Sequence, residues 1–154
     1  VNDPFEAGKV PNLVSINSCL MTDLTGQVCS ESIAGRQYSG TGGQLDFVRA
    51  VALSRGGRSI LCLKSTHTRR DGTLESNIKA VLPEGAVVTT PRTDVMYIAT
   101  EYGVAGLFDQ TLEERAYRLI NIAHPDFRQT LFSEAVERGI IRRGRADAGR
   151  IRLD

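Results

Sequence analysis

Between residues 12 and 21 the chain reads NLVSINSCLM, apolar and small polar side chains in alternation, which predicts a half-buried strand. DLTGQVCSESI follows with a turn signal at Thr25-Gly26, so the two stretches read as a hairpin or as two sequential strands. From Asp46 the spacing changes. Phe47, Val48, Val51 and Ala52 fall on one helical face and Gly56-Gly57 ends the run, which predicts a helix over 46–53. SILCL (59–63) is continuously apolar, as a strand buried on both faces would be. STHTRRDGTLES (65–76) is polar and turn-forming, bending at Asp71-Gly72. NIKAVL, AVVTT and VMYIAT are three further strand candidates, separated by Pro83-Glu84-Gly85 and Pro91-Arg92. Two helices close the pattern. The first, 111–123, has Thr111 as cap and Glu114 at the third helical position of a capping box; the second follows His124-Pro125 and runs to about Arg138. Strands mixed with helices and short loops predict one α/β layer structure, an open mixed or parallel sheet flanked by helices.

Length and charge narrow the function. A chain of 154 residues makes about one domain and can bury roughly two thirds of its unfolded surface. With 19 basic against 18 acidic residues the net charge is +1, which gives no support to a nucleic-acid or membrane-surface role. The stretch RGIIRRGRADAGRIR is locally basic, so residues 139–154 read as a basic C-terminal tail, a flexible solvated end in preference to a tail lying over a partner subunit, after a domain spanning 1–138. Cys19, Cys29 and Cys62 are odd in number, with no C-x-x-C pair and no histidine at zinc-ligand spacing. They read as reduced thiols of a cytoplasmic protein, each filling space as a small buried apolar residue, with no metal site. No apolar run approaches the roughly 20 residues of a membrane span. The chain opens at Val1 without a methionine, which reads as a piece of a longer polypeptide.

The least ordinary stretch is SGTGGQLDF (39–47), three glycines and two small hydroxyl residues in five positions before a helix. Glycines admit positive φ and let a ligand come close to the backbone, while a helix N-terminus points N–H groups and positive dipole at whatever lies there. Such a place suits an anion or a developing oxyanion. A dinucleotide fingerprint fails because the position three after Gly42 is Leu45, and a phosphate-cradling P-loop fails because no lysine occurs between Lys9 and Lys64. Gly42-Gly43-Gln44 also resembles the ester-hydrolysing loop of peptide-chain release factors, but Asp46 and Phe47 follow where basic residues would be expected. A turn with no ligand stays open on glycine count alone.

INSC, GQVCSESI, SGTGGQLDFVRA, TEYGVAGL and INIAHPDFR, in this order and spacing, resemble the C-terminal part of the acetyl-CoA hydrolase/transferase family, which includes 4-hydroxybutyrate and butyryl-CoA:acetate CoA-transferases. The resemblance runs over about 1–132. It implies an incomplete CoA-transferase-like α/β half, with the active site between two such halves in a complete enzyme and coenzyme A as a substrate rather than a permanent cofactor. It also implies a ping-pong route. A glutamate carboxylate attacks the acyl-CoA thioester, an anhydride and then a glutamyl-CoA thioester form, and a second, short-chain carboxylate takes the CoA. Whether water or that carboxylate is admitted separates an acyl-CoA hydrolase from a transferase; both stay open, as does a non-catalytic CoA-binding module. The implied partners are acyl-CoA, a short-chain carboxylate, the N-terminal domain of the same polypeptide and further copies of the chain.

The resemblance carries residues across one at a time. Gly42 and Gly43 match the segment lining the thioester site and are the candidates for backbone contact with the oxyanion. Asn2, in NDP, resembles an asparagine near the active site, although asparagine before Asp-Pro is also an ordinary turn former. Cys19, after INS, and Ser39 are further candidates for CoA contact, with packing and capping as the alternatives. Thr68 and Arg69, in the polar loop after the buried strand, are candidates for the nucleotide or pantetheine part. The family's glutamate is expected upstream of Val1, so no catalytic residue is expected in this chain. Glu101 in TEYG is the substitute weighed, against a carboxylate that bonds a neighbouring turn; Glu31 is weaker still. His67 reads as solvent-facing, and His124 as a brace or cap between the last two helices.

Overall fold

The structure, a computed structural model, describes residues 2–142 and 150–152. The chain starts with a short helix, α1 (Pro4–Gly8), which Asp3 caps by accepting from the amides of Phe5 and Glu6. Strand β1 (Val14–Ser18) follows, then a hairpin of β2 (Met21–Asp23) and β3 (Val28–Cys29), turning where Gly26 takes φ +91°. The hairpin predicted around Thr25-Gly26 is therefore present, but it joins β2 to β3 and leaves β1 to another sheet. Two short strands, β4 (Ser32–Ile33) and β5 (Arg36–Gln37), pair with each other ahead of the glycine turn.

Helix α2 (Gln44–Leu53) begins two residues earlier than its hydrophobic spacing predicts and leads into β6 (Arg58–Cys62). The polar stretch 65–76 is a hairpin rather than a loop: β7 (Thr66–Thr68) and β8 (Leu74–Ser76) pair antiparallel and Gly72 takes φ +86° at the bend. Of the next two strand candidates, NIKAVL contributes only β9 (Ile78–Lys79), and AVVTT makes a single bridge from Thr90 to Val28. VMYIAT contributes β10 (Tyr97–Thr100). An unpredicted β11 (Gly103–Gly106) turns back beside it, its two glycines having masked the strand pattern. Helices α3 (Leu112–Asn121) and α4 (Pro125–Glu137) start at their predicted N-caps, but of the capping box expected at α3 only the Thr111 half forms, since the Glu114 carboxylate accepts from Arg118 and Arg150. Thr111 Oγ1 accepts from the Glu114 amide at 3.1 Å, and the His124 ring accepts from the Asp126 amide.

The central sheet has the order β1-β6-β10-β11, the first three strands parallel and the last antiparallel, so the α/β expectation resolves to a mixed sheet. One face is the core. Ser59, Leu61, Ile98 and Ala105 are at most 2% exposed there, in or beside a cluster that includes Val48 of α2 and Ala116, Leu119 and Ile120 of α3. The opposite face is bare: Ile16 is 66% exposed and Val104 61%, and the register Ile16↔Ile60↔Tyr97 and Ala99↔Val104 puts them on the same side. The two-sided burial expected for SILCL is thus corrected, since Ile60 and Cys62 are only half-buried on that open side. Of the expected tail, residues 143–149, 153 and 154 lie outside the described residues. Residues 150–152 are not free in solvent: the Asn121 side chain donates to the Arg150 carbonyl at 2.7 Å and accepts from the Arg152 amide at 2.9 Å. The Arg150 guanidinium lies 4.1 Å over the Tyr117 ring and pairs with Glu114.

Candidate functional site

Helix α2 is anchored at its C-terminal end to the start of β1. The Ser54 hydroxyl donates to the Val10 carbonyl and accepts from the Leu13 amide, and the Asn12 amide donates to the Arg55 carbonyl. From there β6 sets out parallel to β1, so α2 is the crossover of a β-α-β unit and runs back against both strands. Its N-terminus, with the glycine turn, consequently lies at the edge where the parallel strands end. In open α/β sheets that is the edge where ligands bind.

Two glycines of the turn are required for different reasons. Gly42 takes φ +53°, a left-handed conformation that disfavours a Cβ, and has open space around it. Gly43 is the N-cap of α2 at φ −96°, and a Cβ on it would collide with the Asn2 side chain. Asn2 is therefore packed against the turn, brought there because α1 runs alongside α2 with Gly8 against Ala50 and Leu53 at the far end. Gly43 has no side chain to cap α2, and among the described residues no other side chain bonds its first-turn amides. Its amide groups are left to whatever occupies the turn.

At the same edge a depression of about 470 Å³ is lined by Ser18 and Cys19 after β1, Cys62 to Lys64 after β6, and Ala99 to Glu101 after β10. Cys19 lines it, held by its amide on the Cys62 carbonyl at 2.9 Å. Burial, with the neighbouring thiols Cys62 and Cys29, pushes its thiol up to about 12, so it presents a neutral surface and no nucleophile. Lys64 is an exposed cation at the rim. Spacing gave no cue to it, because a lysine after a buried strand is ordinary in sequence.

Glu101 has the turn-binding role weighed for it. One carboxylate oxygen accepts from the Ser65 hydroxyl at 2.6 Å and the other from the Ser65 amide at 3.0 Å. Partial burial works to raise its carboxyl, but the Ser65 bonds outweigh it and the group stays below the usual glutamate range. Glu31 is only 4% exposed and holds the glycine turn from behind, through Gln37, Thr41 and Thr89. Ser39 is exposed at the start of the turn, its amide on the Glu31 carbonyl.

Thr68 and Arg69 stand on the β7–β8 hairpin and are not among the residues lining the depression; Arg69 is paired with Glu75 at 2.5 Å. His67, in the same hairpin, is half exposed and lies 2.7 Å from the Asn77 side-chain oxygen. Among the described residues no group of three or more His, Cys, Asp or Glu side chains is placed to hold a metal ion, and no helix is long and apolar enough to cross a membrane.

The family model for the acetyl-CoA hydrolase/transferase C-terminal domain matches residues 1–135. The chain belongs to this family. It is 52% identical over 138 residues to a 4-hydroxybutyrate coenzyme A transferase of Clostridium kluyveri, an alignment covering 90% of this chain and 32% of that protein. It is 53% identical over 138 residues to a succinyl-CoA:cyclohexane-1-carboxylate CoA transferase of Geobacter metallireducens, covering 90% and 31%. Among solved structures, RipA from Yersinia pestis superposes with a TM-score of 0.80 at 46% identity, covering 91% of this chain and 31% of RipA. The chain thus spans about a third of the length of these relatives. The matched model is that of the family's C-terminal domain, and one face of the sheet carries exposed apolar residues, Ile16 and Val104.

Proposed function

We propose that this chain supplies a large part of the CoA thioester site of a CoA-transferase that moves CoA between an acyl-CoA and a short-chain carboxylate. The observation that carries this reading is the glycine turn. Its backbone is open, it leads into an uncapped helix N-terminus, and it stands at the carboxyl edge of the parallel strands with Asn2 packed against it. In this reading a glutamate from outside these 154 residues attacks the thioester carbonyl, the carbonyl oxygen becomes an oxyanion, and collapse expels CoA as thiolate to leave an acyl-glutamyl anhydride. The thiolate then attacks the glutamyl carbonyl of the anhydride, releasing the first carboxylate and forming the glutamyl-CoA thioester; an incoming carboxylate runs the two steps in reverse. Each tetrahedral species carries its negative charge toward the amides at Gly42 and Gly43, where fixed donors are worth about 3 kcal/mol each.

Around this centre Ser18, Cys19 and Cys62 form the small wall against the thioester end of CoA, Ser39 stands at the mouth of the turn, and Lys64 offers a cation to the anionic part of CoA. Thr68 and Arg69 are proposed contacts for the nucleotide end. Glu101, with both oxygens engaged by Ser65, is a poor nucleophile and shapes the floor instead. The remaining domain of the polypeptide would cover Ile16 and Val104 and bring the glutamate in. The test uses the full-length polypeptide, incubated with butyryl-CoA and treated with hydroxylamine or borohydride, followed by mapping of the modified peptide. Modification outside residues 1–154, with turnover dependent on added acetate, is the expected result. Modification inside them would displace the nucleophile, and turnover without any acceptor carboxylate would make the enzyme a hydrolase.

A further inference from the structure

Glu31 is a buried carboxylate with no cationic partner among the described residues, 4% exposed and facing three neutral donors. Burying an uncompensated carboxylate is costly, so a position whose only task were packing would be better served by a neutral residue. Its bonds explain what the charge is used for. One oxygen accepts from Gln37 Nε2 at 2.8 Å and Thr41 Oγ1 at 3.0 Å; the other accepts from Thr89 Oγ1 at 3.0 Å. Its backbone carbonyl accepts from the Tyr38 and Ser39 amides at 2.7 and 3.2 Å, and Gln37 Nε2 reaches on to the Ser39 carbonyl at 2.6 Å.

Among the described residues most tethers on the stretch 37–41 therefore end on this one residue, on its carboxylate or its backbone carbonyl, directly or through Gln37. Thr89 joins that assembly to the core, because its amide and that of Thr90 both donate to the Val28 carbonyl and its hydroxyl also accepts from the Ser30 amide. Just beyond the turn, Gln44 Nε2 donates to Thr90 Oγ1 at 2.9 Å, so the same segment grips both ends of the glycines. Gly40, Gly42 and Gly43 have no side chains to fix themselves, and Gly40 and Gly42 have open space around them. Only a group that accepts several hydrogen bonds at once can hold such a turn from one side, and an ionised carboxylate has about four acceptor sites where a glutamine has two.

We infer that Glu31 is the positioning residue of the glycine turn, fixing the Gly42 and Gly43 amides where the oxyanion forms without touching substrate itself. The inference rests on the CoA-transferase reading given above. A displacement of about 1 Å in donors of this kind costs on the order of 10²-fold in rate. Because the donors act on the tetrahedral species, the loss falls on kcat more than on KM.

The experiment uses the full-length polypeptide with butyryl-CoA and acetate, in wild type, Glu31→Ala, Glu31→Gln and Thr41→Val. Thr41 is exposed, so Thr41→Val folds and keeps the question answerable if Glu31→Ala does not. Expected are a fall in kcat of about 30- to 100-fold for Glu31→Ala and about 5- to 10-fold for Thr41→Val, with KM for butyryl-CoA within about threefold in both. Glu31→Gln is expected between them, because its single carbonyl oxygen still accepts from some of the donors. The double variant should be no slower than Glu31→Ala alone, since both changes release one assembly. Amide hydrogen exchange at Gly40, Gly42 and Gly43 should quicken in every variant. A wild type that transfers CoA beside folded variants whose kcat stays within twofold overturns the inference, as does a loss carried by KM alone. A wild type that transfers no CoA overturns the transferase reading instead, and the exchange measurement then decides by itself: unchanged protection of the turn would remove Glu31 from the role.

Discussion

Helices α2 and α3 are both ten residues long, yet their N-termini are finished in opposite ways. At α3 the first turn is closed by its own sequence: Thr111 accepts from the Glu114 amide, and Glu113 and Glu114 set negative charge at the positive end of the dipole. At α2 Asp46 also sets negative charge in the first turn, but the cap is Gly43, among the described residues no side chain bonds the first-turn amides, and stabilisation arrives from behind through Glu31 and Thr90. A helix that only has to be stable satisfies its own orphan donors. One that leaves them open, with two glycines held in place by distant residues, keeps donors free for a ligand, as the proposed oxyanion role requires.

The sharpest way to break this comparison is Gly43→Ala. The new methyl collides with Asn2 and stands at the open donors, so in the full-length enzyme kcat is expected to fall about 10²- to 10³-fold, the size of losing an oxyanion donor. Combining it with Asn2→Ala removes the collision; thermal stability should then recover while activity does not. Recovery of both would reduce the turn to packing. Gly42→Ala separates conformation from space, because nothing crowds Gly42 but its φ of +53° costs an alanine about 1–2 kcal/mol. Gly42→Asn, which tolerates that conformation, should restore most of the stability in a denaturant titration.

The same contrast explains how much was legible in the sequence. Thr111, Glu114, His124 and Pro125 act within a few residues of themselves, so the last two helices and their caps could be read directly and are where they were expected. The glycine turn was legible as a place of unusual backbone freedom, and the resemblance gave it chemistry. Asn2 against Gly43 was available only as a carried-over residue, because 41 positions separate the two and nothing local links them. From sequence Glu31 reads only as a weak nucleophile candidate for the same reason: Thr89, its partner on the far oxygen, is 58 residues away. Strand β11 was hidden by Gly103 and Gly106, and AVVTT reads as a strand because its β-branched residues fit one, although only Thr90 forms a bridge.

Thr111→Ala tests the other half of the comparison. Losing the hydroxyl cap should destabilise the protein by about 1 kcal/mol, measured by chemical denaturation. Because α3 meets the sheet through β11 and the core rather than at the carboxyl edge, kcat with butyryl-CoA and acetate should be unchanged. A large loss of activity from this substitution would mean that the two helix ends are not functionally distinct.

The smallest effect is expected from acid. Hydrogen bonds from Gln37, then Thr41 and Thr89, hold the Glu31 carboxyl below the ordinary glutamate value. A carboxyl depressed on folding binds its proton more weakly in the native than in the unfolded chain. Its contribution is therefore fully present above the unfolded value of about 4.3 and is lost as pH falls through the folded one. Wild type should lose stability over this interval, and Glu31→Gln, which has no proton to bind there, should show a flatter dependence below about pH 4.3 than wild type. Glu114 is lowered as well, through Arg118 and Arg150 against the opposing effect of burial, so part of the acid slope must survive in Glu31→Gln. The difference between the two slopes isolates the carboxylate behind the open helix end from the one at the closed end. Equal slopes would mean that the turn is held equally well without the charge, and Thr41 and Thr89 would then have to fix it through uncharged contacts alone.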